Sequence, residues 1–139
     1  MEAESIVYGC IKDSIYNDDA QDRTSINRSA VSTLPSSELW PLLSRDMFST
    51  TDPAMVLDEP HTEVFHFGAA YQGVEHEWQL WMEKFETLLS QMFWVSAIVH
   101  LETESSGLHS FQWECNSDFH RPGSGDIQVR CEWSRESWL

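Results

Sequence analysis

The chain has 139 residues, of which 41% are hydrophobic, and it contains seven Trp and seven Phe. That size and aromatic content fit one folded domain spanning residues 1–139 and exclude a chain that is disordered throughout. The formal net charge of −15 comes from 23 acidic against eight basic residues. It disfavours nucleic acids and membrane surfaces as partners, because both are negatively charged.

The sequence also predicts a cytoplasmic protein. No apolar run approaches the roughly 20 residues that cross a bilayer, and the N-terminal MEAESIVYGC lacks the basic and apolar regions of an export signal. Cys10, Cys115 and Cys131 are odd in number and form no CxxC pair. Such cysteines are typical of reduced thiols in a reducing compartment.

The first part of the chain predicts one strand and one helix. Residues 5–12, SIVYGCIK, are β-prone and carry apolar groups on both faces, as an interior strand does. A helix capped by Asp22 or Thr24 is expected to run to Leu34, before Pro35. Its inner side would carry Ile26, Ala30, Val31 and Leu34.

The middle of the chain predicts a long connection, a strand and the longest helix. Residues 35–62 hold four of the five prolines and predict an irregular connection with one short helical turn at residues 37–43. Residues 63–71, EVFHFGAAY, predict a strand. Residues 75–93, EHEWQLWMEKFETLLSQMF, predict an amphipathic helix, because their apolar residues repeat with helical spacing at Trp78, Trp81, Met82, Phe85, Leu88, Leu89 and Met92.

The last part of the chain predicts three one-sided strands. Residues 94–103 and 108–115 form a hairpin around Ser105-Ser106-Gly107, and residues 127–133 follow the same alternation. The predicted order is therefore β-α-loop-β-α-β-β-β. We expect an α+β fold in which an antiparallel sheet of four to five strands packs on two helices.

No motif in the chain predicts catalysis, a metal or a cofactor. His76-Glu77 does not continue into HExxH, and there is neither a GxSxG elbow nor a glycine-rich phosphate loop. An enzyme stays open as an alternative, because Asp58 with Glu59, or Glu102 with Glu104, could converge on a cleft as an acid/base pair.

A binding surface is better supported by the strand pattern. The polar side of the last three strands would carry His100, Glu102, Gln112, Glu114, Gln128, Arg130 and Glu132, with Trp94 and Ile98 as apolar anchors. Asp58 and Glu59 are added as candidates, because they lie in the acidic region 46–83, which has no Lys or Arg. The alternative is a solvated sheet face with Trp94 tucked under a loop.

Residues 64–103, VFHFGAAYQGVEHEWQLWMEKFETLLSQMFWVSAIVHLET, resemble small α+β immunity proteins encoded beside bacterial polymorphic or type VI secreted toxins. The shared organisation is a strand ending in small residues and Tyr, a Trp-rich acidic helix and a hairpin. The resemblance implies a protein without catalysis of its own that binds a cognate toxin and blocks it.

The charge of the chain agrees with that expectation, because a strongly acidic inhibitor is steered towards a basic toxin cleft. The toxin would act in the cytoplasm, where this chain is expected to stay. A non-enzymatic adaptor or chaperone-like module of a secretion system is the alternative, which would bind through apolar anchors with little salt dependence.

Overall fold

The computed structural model describes residues 4–15, 20–36, 43–50, 61–104, 106–115, 118–124 and 127–134. Its elements in chain order are β1 (Glu4–Ile15), α1 (Ala20–Ser32), β2 (Phe48–Thr50), β3 (His61–Gln72), α2 (Trp78–Ser90), β4 (Ser96–Thr103), β5 (Gly107–Cys115) and β6 (Ile127–Ser134). The predicted α+β class is confirmed. Within the described ranges, no helix is long and apolar enough to cross a membrane.

The strands form one antiparallel sheet in the order β2-β3-β1-β4-β5-β6. The five long strands are those that the sequence predicts. The sixth, β2, is a three-residue edge strand from the region predicted to be irregular. It forms because Phe48 pairs with Phe67 and packs against that ring at 5.2 Å between centroids. The predicted turn at residues 37–43 lies almost wholly outside the described residues.

Strand β1 is the centre of the sheet, because it pairs with β3 on one side and β4 on the other. This confirms the interior position that its two apolar faces predict. Val7 and Ile11 are fully buried on one face. Gly9 lies between them and opposite Phe67, and the Phe67 ring occupies the space that a side chain at position 9 would need.

Helix α2 packs its apolar side into the core, as its periodicity predicts. Trp81, Phe85 and Leu89 are fully buried. Phe85 contacts Phe67 of β3 at 5.4 Å and the edge of Trp113 of β5 at 4.9 Å, so one ring joins distant strands. The helix is shorter than predicted: residues Val74–Glu77 form a 3-10 turn and the α-helix ends at Ser90.

Helix α1 is attached through polar contacts instead of a continuous apolar stripe. The Arg23 guanidinium donates to the buried Asp13 carboxylate of β1, Thr24 donates to Glu63 at 2.9 Å, and the Asn27 side chain binds the backbone of Phe93. The prediction that Ile26 faces inwards is wrong, because Ile26 is 42% exposed. The buried face begins at Arg23 and Asn27 and continues through Ala30 and Val31.

Candidate functional site

Both described helices pack on the same face of the sheet. Helix α1 reaches Asp13 and Glu63, and α2 reaches Phe67 and Trp113, all of which lie on one side of their strands. The opposite side is therefore without a helix among the described residues. We call it the open face, defined by Ile6, Tyr8, Cys10, Lys12, His66, Gly68, Ile98, His100, Glu102, Leu108, Ser110, Gln112 and Glu114.

Strand register arranges the open face in rows, because directly paired residues of antiparallel strands point to the same side. One row is Ile6, Glu102 and Leu108. The next is Tyr8, His100 and Ser110, and the third is Cys10, Ile98 and Gln112. Apolar side chains from all three strands β1, β4 and β5 thus lie among polar ones.

A chain of contacts connects three strands across this face. The Tyr8 hydroxyl donates to Glu102 Oε1 at 2.9 Å. The Tyr8 ring lies 5.0 Å from the His100 ring, and His100 Nδ1 is 2.8 Å from Ser110 Oγ. Burial raises the pKa of Tyr8, and the hydrogen bond to Glu102 and its negative charge raise it further. Tyr8 therefore stays a neutral donor at physiological pH.

Among the residues that the structure describes, the Ser110 and His100 pair is not extended into a catalytic triad. A triad needs a carboxylate that orients the histidine, whereas among the described residues Glu102 is bound to Tyr8. A cavity of about 470 Å³ lies elsewhere, between the end of α1 and α2, where it is lined by Leu34, Leu43, Lys84 and Leu88 among others. The described ranges hold no group of three or more His, Cys, Asp or Glu suited to a metal ion.

The structure brings together most of the predicted binding residues. His100, Glu102, Gln112 and Glu114 lie on the open face, and Gln112 is exposed while the others are half-buried. Three predicted residues of β6 pair in register with Glu114, Gln112 and Ser110 respectively: Gln128, Arg130 and Glu132. The candidates Asp58 and Glu59 lie outside the described residues.

Trp94 lies in the interior of the protein. It is fully buried, so the prediction that it anchors a partner on the exposed face is wrong. Its indole Nε1–H donates to Leu89 O at 2.9 Å, and its ring stacks on His120 at 4.9 Å. Backbone hydrogen bonds between Trp94 and His120 hold the loop over it. The alternative, a tryptophan tucked beneath a loop, is what the structure contains.

The sequence prediction missed the contribution of β1 to this face. Ile6, Tyr8 and Cys10 alternate with the buried residues of that strand, but their position opposite β4 depends on long-range pairing. Ile6 is 39% exposed, which is high for a large aliphatic side chain in a central strand. That exposure marks the open face as a surface whose apolar groups lack cover in the described part of the chain.

Charge is mixed on the open face. Glu102 and Glu114 are acidic, Lys12 is basic and exposed, and His66 is exposed beside Cys10. Exposed acids also lie away from this face, at Glu77 in the 3-10 turn before α2 and at Glu83 on α2. The net charge of −15 is therefore a property of the whole chain and not of this face alone.

Comparison of the chain with protein-family models, with curated proteins and with solved structures finds no match.

Proposed function

We propose that this protein is an acidic immunity protein that binds a basic, cytoplasm-acting toxin domain through its open face and blocks it. The observation that carries the proposal is a sheet face that no described helix covers, on which Ile6, Tyr8 and Cys10 follow one another along β1 and lie beside polar residues of β4 and β5. Protein interfaces have this composition, with an apolar or aromatic centre inside a polar rim.

The charge of the chain supports a basic partner. With a net charge of −15, the protein attracts a positively charged domain over distances of about one Debye length, roughly 8–10 Å at physiological salt. This attraction raises the association rate more than it strengthens the final complex. The open face then supplies the short-range contacts that keep the complex together.

The proposal is tested with the protein encoded by the adjacent open reading frame, by stopped-flow association and by dissociation measurements. One double variant, Glu102→Lys with Gln112→Lys, alters the open face. The control, Gln79→Lys with Glu83→Lys, changes net charge by the same amount on the exposed side of α2. Both variants should slow association similarly, because long-range steering depends on total charge.

The dissociation rate of the complex distinguishes the two variants. The open-face variant should dissociate at least about 30-fold faster, as expected when central interface residues are replaced, whereas the control should stay within about threefold of the parent protein. Equal dissociation rates for both variants would contradict binding through the open face. An association rate that is unchanged between about 0.05 and 0.5 M salt would remove the steering argument and favour the adaptor alternative.

A further inference from the structure

Glu102 has an unusual position for a carboxylate on a sheet face. Its two directly paired neighbours are aliphatic, Ile6 on β1 and Leu108 on β5. Ile6 is 39% exposed and Leu108 is half-buried. The negative charge of Glu102 is therefore flanked by apolar surface on both sides along this row of the sheet.

The carboxylate is held in place before any partner arrives. Tyr8 donates its hydroxyl to Oε1 at 2.9 Å, and the Tyr8 ring is supported by His100, which in turn contacts Ser110. Within the described part of the chain, no donor contacts Oε2. Fixing the acceptor in advance reduces the entropy lost on binding.

Space beside the Tyr8 ring comes from the neighbouring strand. Tyr8 lies opposite Gly68, and Ile6 lies opposite Ala70. Both small residues are exposed, so β3 presents no large side chain directly opposite Tyr8 or Ile6. The Tyr8 ring and the Glu102 carboxylate are consequently approachable from the same side of the sheet.

We infer that the Glu102 corner, formed by Ile6, Tyr8, Glu102 and Leu108, binds an arginine side chain of the partner. The aliphatic stem of arginine packs on Ile6 and Leu108, as long cationic side chains do on apolar surface. Its guanidinium binds Glu102 and lies against the Tyr8 ring. Arginine fits better than lysine, because its planar group pairs with carboxylates and stacks on aromatic rings at the same time.

The inference rests on the proposed function in one respect: the basic partner protein is what supplies the arginine. The net charge of −15 provides the complementary field. Binding at the Glu102 corner can be tested without a partner protein, because the proposed contact involves one arginine side chain.

The test is an NMR titration of the full chain with N-acetyl-L-arginine amide, followed through backbone amide shifts. The uncharged citrulline analogue and N-acetyl-L-lysine amide serve as ligand controls. Saturable shifts should cluster at Ile6, Tyr8, Gly68 and Glu102, and the arginine compound should bind more tightly than the lysine compound. Glu102→Gln should weaken binding about fivefold, the upper range for a solvent-exposed ion pair, while Glu83→Gln on α2 should leave it unchanged.

Three results would overturn the inference. Shifts spread evenly over the acidic surface would mean that arginine is attracted only by net charge. Equal weakening by Glu102→Gln and Glu83→Gln would mean the same. Concentration-dependent shifts of the open face without added compound, together with a dimer in sedimentation, would make a second copy of this chain the occupant. A titration without saturable shifts would also overturn the inference, and it would leave the proposed function to its own test with the charge-matched variants.

Discussion

Gly9→Ala is expected to destabilise the fold strongly although it adds a single methyl group. Gly9 lies in the central strand β1, opposite Phe67 of β3 and Val99 of β4. A Cβ at this position would overlap the backbone carbonyl oxygen of Ile98 and would approach Phe67 Cζ to 2.9 Å. The ring can adjust, but the carbonyl belongs to a paired strand, so relief requires β1 and β4 to separate locally.

The expected loss of stability follows from the clash with the backbone of β4. Overpacking of a well-packed interior costs about 1–3 kcal/mol, and a clash with backbone belongs at the upper end of that range. We therefore expect the free energy of unfolding to fall by about 3 kcal/mol, a large part of the 5–15 kcal/mol typical of a domain. For a chain of this size the melting temperature should fall by roughly 10 °C.

Gly68→Ala is the matched control. Gly68 lies one strand away, and an added Cβ would be at ordinary contact distance, 3.7 Å, from Tyr8 Cβ and from Val7 O. Alanine there should leave stability unchanged or raise it by about 0.4–1 kcal/mol, because it restricts the unfolded chain. Urea unfolding followed by Trp fluorescence measures both variants. Equal midpoints for the two variants would refute the register of β1 against β4.

Of three further predictions, two concern buried contacts and the third concerns the open face. Arg23→Ala should lower the free energy of unfolding by about 3–5 kcal/mol, because it leaves the Asp13 carboxylate buried without its guanidinium; additive effects of Arg23→Ala and Asp13→Ala in a double-mutant cycle would contradict this coupling. Trp81→Ala should destabilise by about 3–5 kcal/mol, because a fully buried ring is removed, and an unchanged melting temperature would disprove the orientation of α2. Glu102→Gln should lower the pKa of Tyr8 towards its ordinary value, because it removes a negative charge beside the hydroxyl; NMR titration of the Tyr8 ring detects the change, and an unchanged pKa would argue against the contact. Because the folded state raises the pKa of Tyr8, the associated stability is complete below the unfolded pKa of about 10 and is lost as pH rises through the folded value.

The sequence by itself determined the elements whose burial follows a local period. Helix α2 has apolar residues at helical spacing, and Trp81, Phe85, Leu88 and Leu89 are indeed buried. Strand β4 alternates strictly, and its buried residues are those on the predicted apolar side. In both elements one face is apolar and the other is polar, so the local pattern fixes which side meets the core.

Tertiary structure decided what local periodicity leaves open. Ile26 is exposed because Arg23 and Asn27 take the inner side of α1, where they bind Asp13 and the backbone of Phe93. Trp94 is buried because a loop more than 20 residues later in the chain covers it. Both outcomes depend on partners that are distant in sequence.

The open face is the clearest case. Tyr8 and Glu102 are 94 residues apart in the chain, yet their side chains are hydrogen-bonded because β1 lies between β3 and β4. A strand with apolar groups on both faces is expected in the interior of a sheet, but its own sequence does not specify its neighbours or its register. Those are set by the packing of all strands together on the two helices, and this packing creates the surface on which the proposed binding depends.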